Sequence, residues 1–478
     1  MNGSQGRWRK AVGERGPLLA LLTAALLLHA LASLRLPTPR LWGDENHYLA
    51  YALLDAVQGR TAPVPGTLRF DHRPEFGARV DALLLGIDAL HPTPTDEEAA
   101  PVVARLMEGE RFPSFFTRLE GFRIGLALLL GALTWGLGGA IGLGRRGRTL
   151  ATATALFFPP LFFHAHALWA ELLHACLVGG MLLLLVRGLE PSSTDSRPCR
   201  GVRFASAGVL LGFALLTKGT LVPFVPLLLL ALALAPRSRS RISAAGVSER
   251  LLPAGSLLLG LALVLVPQLI ANARSGFGPQ LSANRWWNLE LGLADEGDLD
   301  PERVAAARER GLDPREERLL PVQRASRLYF EAAPTPLERE RLARERTLHR
   351  LRERGLWGVF RGQVRKLASL LLAPDWSLDQ SLTFRHRWEA TSPAGSWLPV
   401  LDRALWWGLL LAGGIGLARI GFRSRAFLPA LLLAYLFAAL LLVPFKARFL
   451  IPTIPLLALF VGSLPQRPSP SPSEDETP

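Results

Sequence analysis

Two adjacent carboxylates follow the first long apolar stretch of this 478-residue chain. Asp44 and Glu45 stand close to a point where a helix would leave a membrane, and a carboxylate there could act as a general base on a hydroxyl. The alternative is structural, because Asp44 precedes the helical-looking segment Tyr48–Val57 and acidic residues suit the first turn of a helix. The residue types leave both interpretations open.

Glu171 is the only acidic residue in the apolar stretch 150–186. An ionisable group at membrane depth is a functional candidate by default. If this stretch folds as a hairpin of two spans, its tip lies close to Glu171. The neighbouring His164, His166 and His174 raise the alternative of a zinc site, but no carboxylate–histidine spacing of a known site is present. We therefore interpret them as histidines at a membrane interface.

Three cations stand at predicted span ends on the same side as these acids. They are Lys218, Lys446 and Arg448. Such groups suit a phosphate or pyrophosphate on a lipid carrier. The alternative is that they snorkel to lipid headgroups, and the residue types alone do not decide between the two.

Apolar stretches long enough to cross a bilayer must position these groups. The chain is 49% hydrophobic and 20% charged, and the two kinds of residue are segregated along it. About 20 mostly apolar residues span the hydrocarbon core, where backbone groups must bond within a helix. The ten predicted spans are 17–35, 121–143, 150–167, 169–186, 204–217, 219–236, 251–271, 398–418, 427–444 and 447–463. The predicted fold class is an all-α polytopic membrane protein with two long extracytoplasmic segments that carry interfacial helices.

Basic residues give the predicted orientation, because they fall in every alternate connection. They are Arg7, Arg9, Lys10 and Arg15 before the first span, Arg145, Arg146 and Arg148 after the second, Arg187, Arg197, Arg200 and Arg203 after the fourth, Arg237, Arg239, Arg241 and Arg250 after the sixth, and Arg419, Arg423 and Arg425 after the eighth. We expect both termini in the cytoplasm of a multi-pass inner or plasma membrane protein. Basic residues in these loops then account for the net charge of +14. No module of aromatic and basic residues indicates that the chain binds nucleic acid.

The same pattern divides the chain. We expect residues 1–271 to form an N-terminal transmembrane module, catalytic if the chain is an enzyme, with an external loop at 36–120, and 272–397 to form an extracytoplasmic acceptor or lid region. Residues 398–464 hold the C-terminal spans, and the Pro- and Ser-rich segment 465–478 is predicted to be a disordered cytoplasmic tail. Two cysteines imply neither a disulfide framework nor a metal site.

Read in order, several segments resemble the membrane-embedded glycosyltransferases that use polyprenyl-phosphate sugars, the GT-C superfamily. They are most similar to the branch of protein O-mannosyltransferases and lipid A aminoarabinose transferases. The segments are Asp44-Glu45 with Tyr48, Asp71-His72-Arg73-Pro74, Arg118-Leu119, Pro159 to Glu171, Gly208 to Lys218, and Pro267 to Asn272 followed by Arg274, Gly276 and Asn288-Leu289. The chain departs from the pattern in its long first loop and in having one proline after His72-Arg73 where that branch has two.

The resemblance implies transfer of one sugar from a polyprenyl-phosphate donor to an extracytoplasmic glycan, lipid or protein. It makes Asp44 the candidate base, Glu171 the second active-site acid, and Lys218 with Arg448 the donor-phosphate ligands. Tyr48, His72 and Arg118 are further candidate site residues. We expect inversion at the anomeric carbon. No motif requires a cofactor, although some relatives use a divalent metal ion.

Two other classes of protein remain open on the sequence. A transporter or flippase is also polytopic, but the polar groups here cluster at one face and not at the midplane, and no repeat relates the two halves. If the chain were a structural or assembly protein, the predicted location of Asp44, Glu171 and Lys218 on one side of the membrane would be a coincidence.

Overall fold

The computed structural model describes most of the apolar part of the chain. The described residues are 2–35, 113–167, 169–189, 197–234, 247–274, 279–281, 285–293, 336–372, 398–421, 425–442 and 447–465. Every regular element within these ranges is a helix. The prediction of an all-α fold is therefore confirmed.

The helices of the described ranges fall into two halves along the chain. The first half holds α1 (Asn2–Arg35), α2 (Pro113–Ala140), α3 (Arg145–Phe157), α4 (Pro159–His164), α5 (Glu171–Leu189), α6 (Arg197–Thr217), the 3₁₀ helix Gly219–Leu221 and α7 (Phe224–Leu234). The second half holds α8 (Val247–Arg274), α9 (Arg285–Leu293), α10 (Pro336–Leu372), α11 (Leu398–Ile420), α12 (Phe427–Ala439), the 3₁₀ helix Ala447–Thr453 and α13 (Ile454–Val461).

Six of the described helices are long and apolar enough to cross a membrane. Their apolar segments are Glu14–Leu34, Leu119–Ala140, Glu171–Leu189, Pro198–Thr217, Leu251–Arg274 and Val400–Ile420. Each overlaps one of the predicted spans. The chain is therefore a polytopic membrane protein, as its hydropathy predicts.

The other four predicted spans contain shorter helices, and each of these spans contains proline. The predicted span 150–167 is divided between α3 and α4, because Phe158 is extended (φ −66°, ψ 118°) immediately before Pro159. A residue before proline is disfavoured in the helical region, and proline itself suits the first turn of a new helix. The α-helices of the other three spans are also shorter than a full crossing: α7 has 11 residues, α12 has 13 and α13 has 8.

Glycines allow α6 and α8 to pack with their backbones almost in contact. A Cβ atom at Gly208 would collide with the Leu257 carbonyl oxygen, and a Cβ atom at Gly260 would collide with the Ala205 carbonyl oxygen. Small residues at helix crossings allow this close approach within membranes. The crossing fixes the position of α6, and therefore of Lys218, which follows the last residue of that helix.

The last helix lies in the interior of the bundle. All eight residues of α13 are buried, and it packs against α3 and α11. The preceding 3₁₀ helix contacts α5. A buried apolar helix with such neighbours brings Arg448, at the start of that 3₁₀ helix, into the interior of the protein.

The helix α9 packs against the long helix α10. Lys366 Nζ and Gln363 Nε2 donate to the Gly292 carbonyl oxygen at 2.8 and 3.0 Å, so they bind the C-terminal end of α9. Gly355 bends α10 with φ 62° and ψ 163°, a backbone conformation almost confined to glycine. Beyond the bend, Trp357 is exposed, and an exposed tryptophan suits a helix that lies at a membrane interface.

Candidate active site

Glu171 begins α5 and is almost completely buried, with 1% of its surface exposed. It follows the turn 165–170 that connects α4 to α5, the position that the hairpin interpretation predicts. A carboxylate at the first residue of a helix faces unbonded backbone N–H groups and the positive end of the helix dipole. Cationic side chains also surround this carboxylate.

Lys218 and Arg448 converge on Glu171. Lys218 Nζ donates a hydrogen bond to Glu171 Oε1. Arg448 Nε lies 3.5 Å from the same oxygen. His164 Nε2 lies 3.7 Å from the other oxygen, Oε2, which is longer than a direct hydrogen bond. The structure therefore brings together three of the residues that the sequence singles out.

Each of these side chains comes from the end of a helix. Lys218 is extended (φ −149°, ψ 120°) between α6 and the first 3₁₀ helix, and its N–H donates to the Ala214 carbonyl oxygen at 2.8 Å. Arg448 lies near the start of the second 3₁₀ helix, and His164 is the last residue of α4. Because helix ends meet at one end of the bundle, residues far apart in sequence share one site.

Aromatic rings cover the two cations. The Arg448 guanidinium carbon lies 3.6 Å from the centre of the Trp169 ring. Lys218 Nζ lies 4.6 Å from the centre of the Phe449 ring. Cation–π contacts of this kind stabilise a desolvated cation by about 2 kcal/mol.

The cations differ in how far solvent reaches them. The Lys218 side chain is 13% exposed, whereas the Arg448 side chain is 7% exposed and that of Glu171 is 1% exposed. Glu171 is therefore the most deeply buried of the three side chains, and Lys218 is the most exposed. An anionic group arriving from outside would meet Lys218 first, in surroundings that strengthen electrostatic attraction.

The three neighbouring histidines have different partners. His164 faces Glu171, His166 bonds to Glu120, and His174 Nδ1 donates to the Ala214 carbonyl oxygen at 3.1 Å. Within the described residues, no group of three or more His, Cys, Asp or Glu side chains could hold a metal ion. The zinc alternative therefore gains nothing from how these histidines are arranged.

The other predicted site residues lie outside the part of the chain that the structure describes in detail. Asp44, Glu45, Tyr48, His72 and Lys446 fall beyond the described residues. Arg118 lies in the first turns of α2, and only its backbone is described. Their roles stay predictions.

Sequence reasoning missed a second polar cluster beside the site. Glu120 Oε1 lies 2.6 Å from His166 Nδ1, and His29 Nδ1 lies 3.0 Å from His166 Nε2. Arg123 Nη1 donates to the Trp169 carbonyl oxygen at 3.2 Å. The signal in the sequence was a carboxylate and an arginine three residues apart in the N-terminal part of a mostly apolar helix.

Comparison with known proteins finds similarity only among solved structures, because no family model and no curated protein matches the sequence. The chain is similar to the archaeal oligosaccharyltransferase AglB from Archaeoglobus fulgidus, in complex with an inhibitory peptide and a dolichol-phosphate. The identity is 12% and the TM-score 0.48, over 93% of this chain and 50% of that one. It is also similar to ArnT from Cupriavidus metallidurans, in the apo state (16%, TM-score 0.40) and bound to undecaprenyl phosphate (16%, TM-score 0.38). Both of these matches cover 94% of this chain and 78% of that one. The chain spans about half the length of the oligosaccharyltransferase.

Proposed function

We propose that this chain is a membrane glycosyltransferase that transfers a hexose or pentose from a polyprenyl-phosphate donor to an extracytoplasmic acceptor. One observation carries the proposal: Glu171, Lys218 and Arg448 meet at the ends of membrane helices. A lipid-linked phosphate lies at this depth, because its hydrocarbon tail stays in the bilayer while its headgroup stays at the surface.

Lys218 and Arg448 bind the donor phosphate in this proposal, with Lys446 as a further ligand. Hydrogen bonds from cations to phosphate are about twice as strong as neutral ones. The two cations also stabilise the negative charge that grows on the phosphate as it leaves the sugar. That stabilisation is large where water is excluded, and Arg448 is buried.

Glu171 has two tasks in the proposed site. Its Oε1 atom holds Lys218 and Arg448 in place. Its Oε2 atom lies 3.7 Å from His164 Nε2, beyond a direct hydrogen bond, so it keeps the capacity to accept from an acceptor hydroxyl that enters the site. Glu171 therefore links the phosphate ligands to the nucleophile.

Asp44 acts as the base, with Glu45 beside it. It removes the proton of the acceptor hydroxyl as that oxygen forms a bond to the anomeric carbon. The bond from this carbon to the phosphate oxygen breaks at the same time, and polyprenyl phosphate leaves with the electron pair. Attack from the opposite face inverts the anomeric carbon.

The experiment that tests this function compares envelope glycans and glycolipids from wild-type and deletion strains by mass spectrometry. We expect one sugar addition to disappear on deletion and to return when the wild-type chain is supplied. Supplying Asp44→Asn should not restore it, although the variant is expressed and inserted normally. An unchanged set of glycoconjugates after deletion would contradict glycosyl transfer. A solute that accumulates on one side of the membrane without a new glycosidic bond would indicate a transporter.

A further inference from the structure

A chain of hydrogen bonds runs through His166, which lies in the turn leading to Glu171. His166 Nδ1 lies 2.6 Å from Glu120 Oε1 on α2, and its Nε2 lies 3.0 Å from His29 Nδ1 on α1. Ser33 Oγ donates to the same Glu120 oxygen at 2.8 Å. Two membrane helices therefore hold one side chain of the turn.

The directions of these hydrogen bonds follow from the chemistry of the groups. An ionised Glu120 can only accept, so His166 donates from Nδ1. The Nε2 atom of a neutral His166 is then an acceptor, and His29 donates to it from Nδ1. His29 is fully buried, and its imidazole stacks on the Phe162 ring with the ring centres 4.2 Å apart.

The helix α2 binds the turn at a second point. Arg123 lies three residues after Glu120, on the same face of the helix. Its Nη1 atom donates to the Trp169 carbonyl oxygen at 3.2 Å. The turn 165–170 is thus held by a side chain near its start and by a backbone group near its end.

This turn positions two parts of the candidate active site. The Trp169 ring packs against the Arg448 guanidinium, and Glu171 follows two residues later. Backbone bonds near the start of the turn reach back to α4, such as that from the Ala167 N–H to the His164 carbonyl oxygen at 3.2 Å. Side-chain contacts from α1 and α2 therefore help to set the position of Trp169.

We propose that Glu120, His166 and His29 are positioning residues that fix this turn and thereby place Trp169 and Glu171 for donor-phosphate binding. The effect on phosphate binding depends on the proposed function, whereas the fixing of the turn does not. The hydrogen bonds that join these three residues link α1 and α2 to the turn, so their influence on the site passes through the turn.

The first test is amide hydrogen exchange of the full chain in lipid nanodiscs, followed by mass spectrometry of peptides that cover 163–170. We expect His166→Ala to accelerate exchange in this turn roughly tenfold, since two hydrogen bonds are lost. The matched control is His349→Ala on α10, where the side chain is 72% exposed and pairs with Glu353. Exchange of the turn that is the same in both variants would overturn the proposal.

The conservative variant Glu120→Gln separates positioning from a general loss of packing. Its amide oxygen can still accept from His166 Nδ1, so we expect the turn to keep most of its protection. Glu120→Ala should lose it. Should His166→Ala fail to fold, this pair decides the matter alone, and equal protection in both variants would refute the positioning role.

The second test measures the affinity for polyprenyl phosphate in His166→Ala, Trp169→Ala and the double variant. If His166 acts through Trp169, the double variant should have the same affinity for polyprenyl phosphate as whichever single variant binds it less tightly. Losses that multiply would show that His166 acts independently and would overturn the proposal. Wild-type protein that does not bind polyprenyl phosphate would refute the proposed function, while the exchange result would still decide whether the turn is fixed.

Discussion

At the scale of single residues, the side chain of Lys218 is more exposed than that of Arg448, the other described cation of the candidate active site. We expect Lys218→Ala to raise the KM for a polyprenyl-phosphate sugar roughly 10- to 100-fold, because a hydrogen bond from a charged donor contributes about 1.5–3 kcal/mol. Steady-state kinetics at varied donor concentration would measure this. The control is Arg145→Ala, an exposed cation at the start of α3. A donor KM that Lys218→Ala leaves unchanged would remove this lysine from the site.

Glu171 holds two cations that would otherwise repel each other. We expect Glu171→Gln to lower the free energy of unfolding by roughly 3 kcal/mol, since removal of one partner from a buried charge cluster is costly. Added polyprenyl phosphate should restore part of the loss in a thermal-unfolding assay, because the phosphate supplies negative charge to the same cations. Equal stabilisation of this variant by polyprenyl phosphate and by uncharged polyprenol would contradict that explanation.

The sequence identifies the residues of the site better than their partners. Glu171, Lys218 and Arg448 could be predicted, because charges beside apolar stretches are costly and therefore conspicuous. The partners of His166 could not, since His29 is a single histidine within an apolar helix. Its pairing depends on how α1, α2 and the turn pack, and no spacing within the sequence encodes that.

At the scale of helices, the crossing of α6 and α8 fixes where Lys218 lies. We expect Gly260→Leu to reduce folding yield and thermal stability, because its side chain would collide with the Ala205 carbonyl oxygen. The control is Gly255→Leu on the same helix, where a Cβ atom meets nothing within 4 Å. The yield of monodisperse protein in detergent and its melting temperature would be measured. Equal stability of the two variants would show that the close approach is not required.

Helix lengths could be predicted where apolar runs are unbroken by proline. The six long segments, including Glu171–Leu189 and Val400–Ile420, lie where hydropathy places them. The division of 150–167 at Phe158 was not predicted, although Pro159 and Pro160 supply its cause. Hydropathy averages over such breaks, because a broken helix and a continuous one have the same composition.

At the scale of the whole molecule, the proposed orientation can be tested with the native cysteines. Cys199 is exposed at the start of α6, whereas Cys176 is buried in α5. Since the basic connections are proposed to face the cytoplasm, a membrane-impermeant maleimide should label inside-out vesicles and spare right-side-out ones. Cys199→Ser should abolish the labelling. Labelling from the outer side alone would reverse the orientation and place the active site in the cytoplasm.

The division of the molecule into a catalytic module, 1–271, and an acceptor or lid region, 272–397, remains a proposal. Its support is that α9 and α10 pack on each other through Glu340, which accepts from the Trp286 N–H at 3.0 Å. A pair of helices packed in this way suits recognition of an acceptor. Sequence alone did not predict this packing, because the segment from 302 to 354 is dominated by Arg and Glu and its apolar face is narrow.

The measurement that tests the central claim most directly is the binding of polyprenyl phosphate and of uncharged polyprenol to the purified chain in nanodiscs. We predict that the phosphate binds at least roughly tenfold more tightly, and that the Lys218→Ala/Arg448→Ala double variant loses this preference while it still binds the hydrocarbon. Equal affinity of the wild-type protein for the two lipids, or a preference that the double variant keeps, would contradict a donor-phosphate site at Glu171, Lys218 and Arg448.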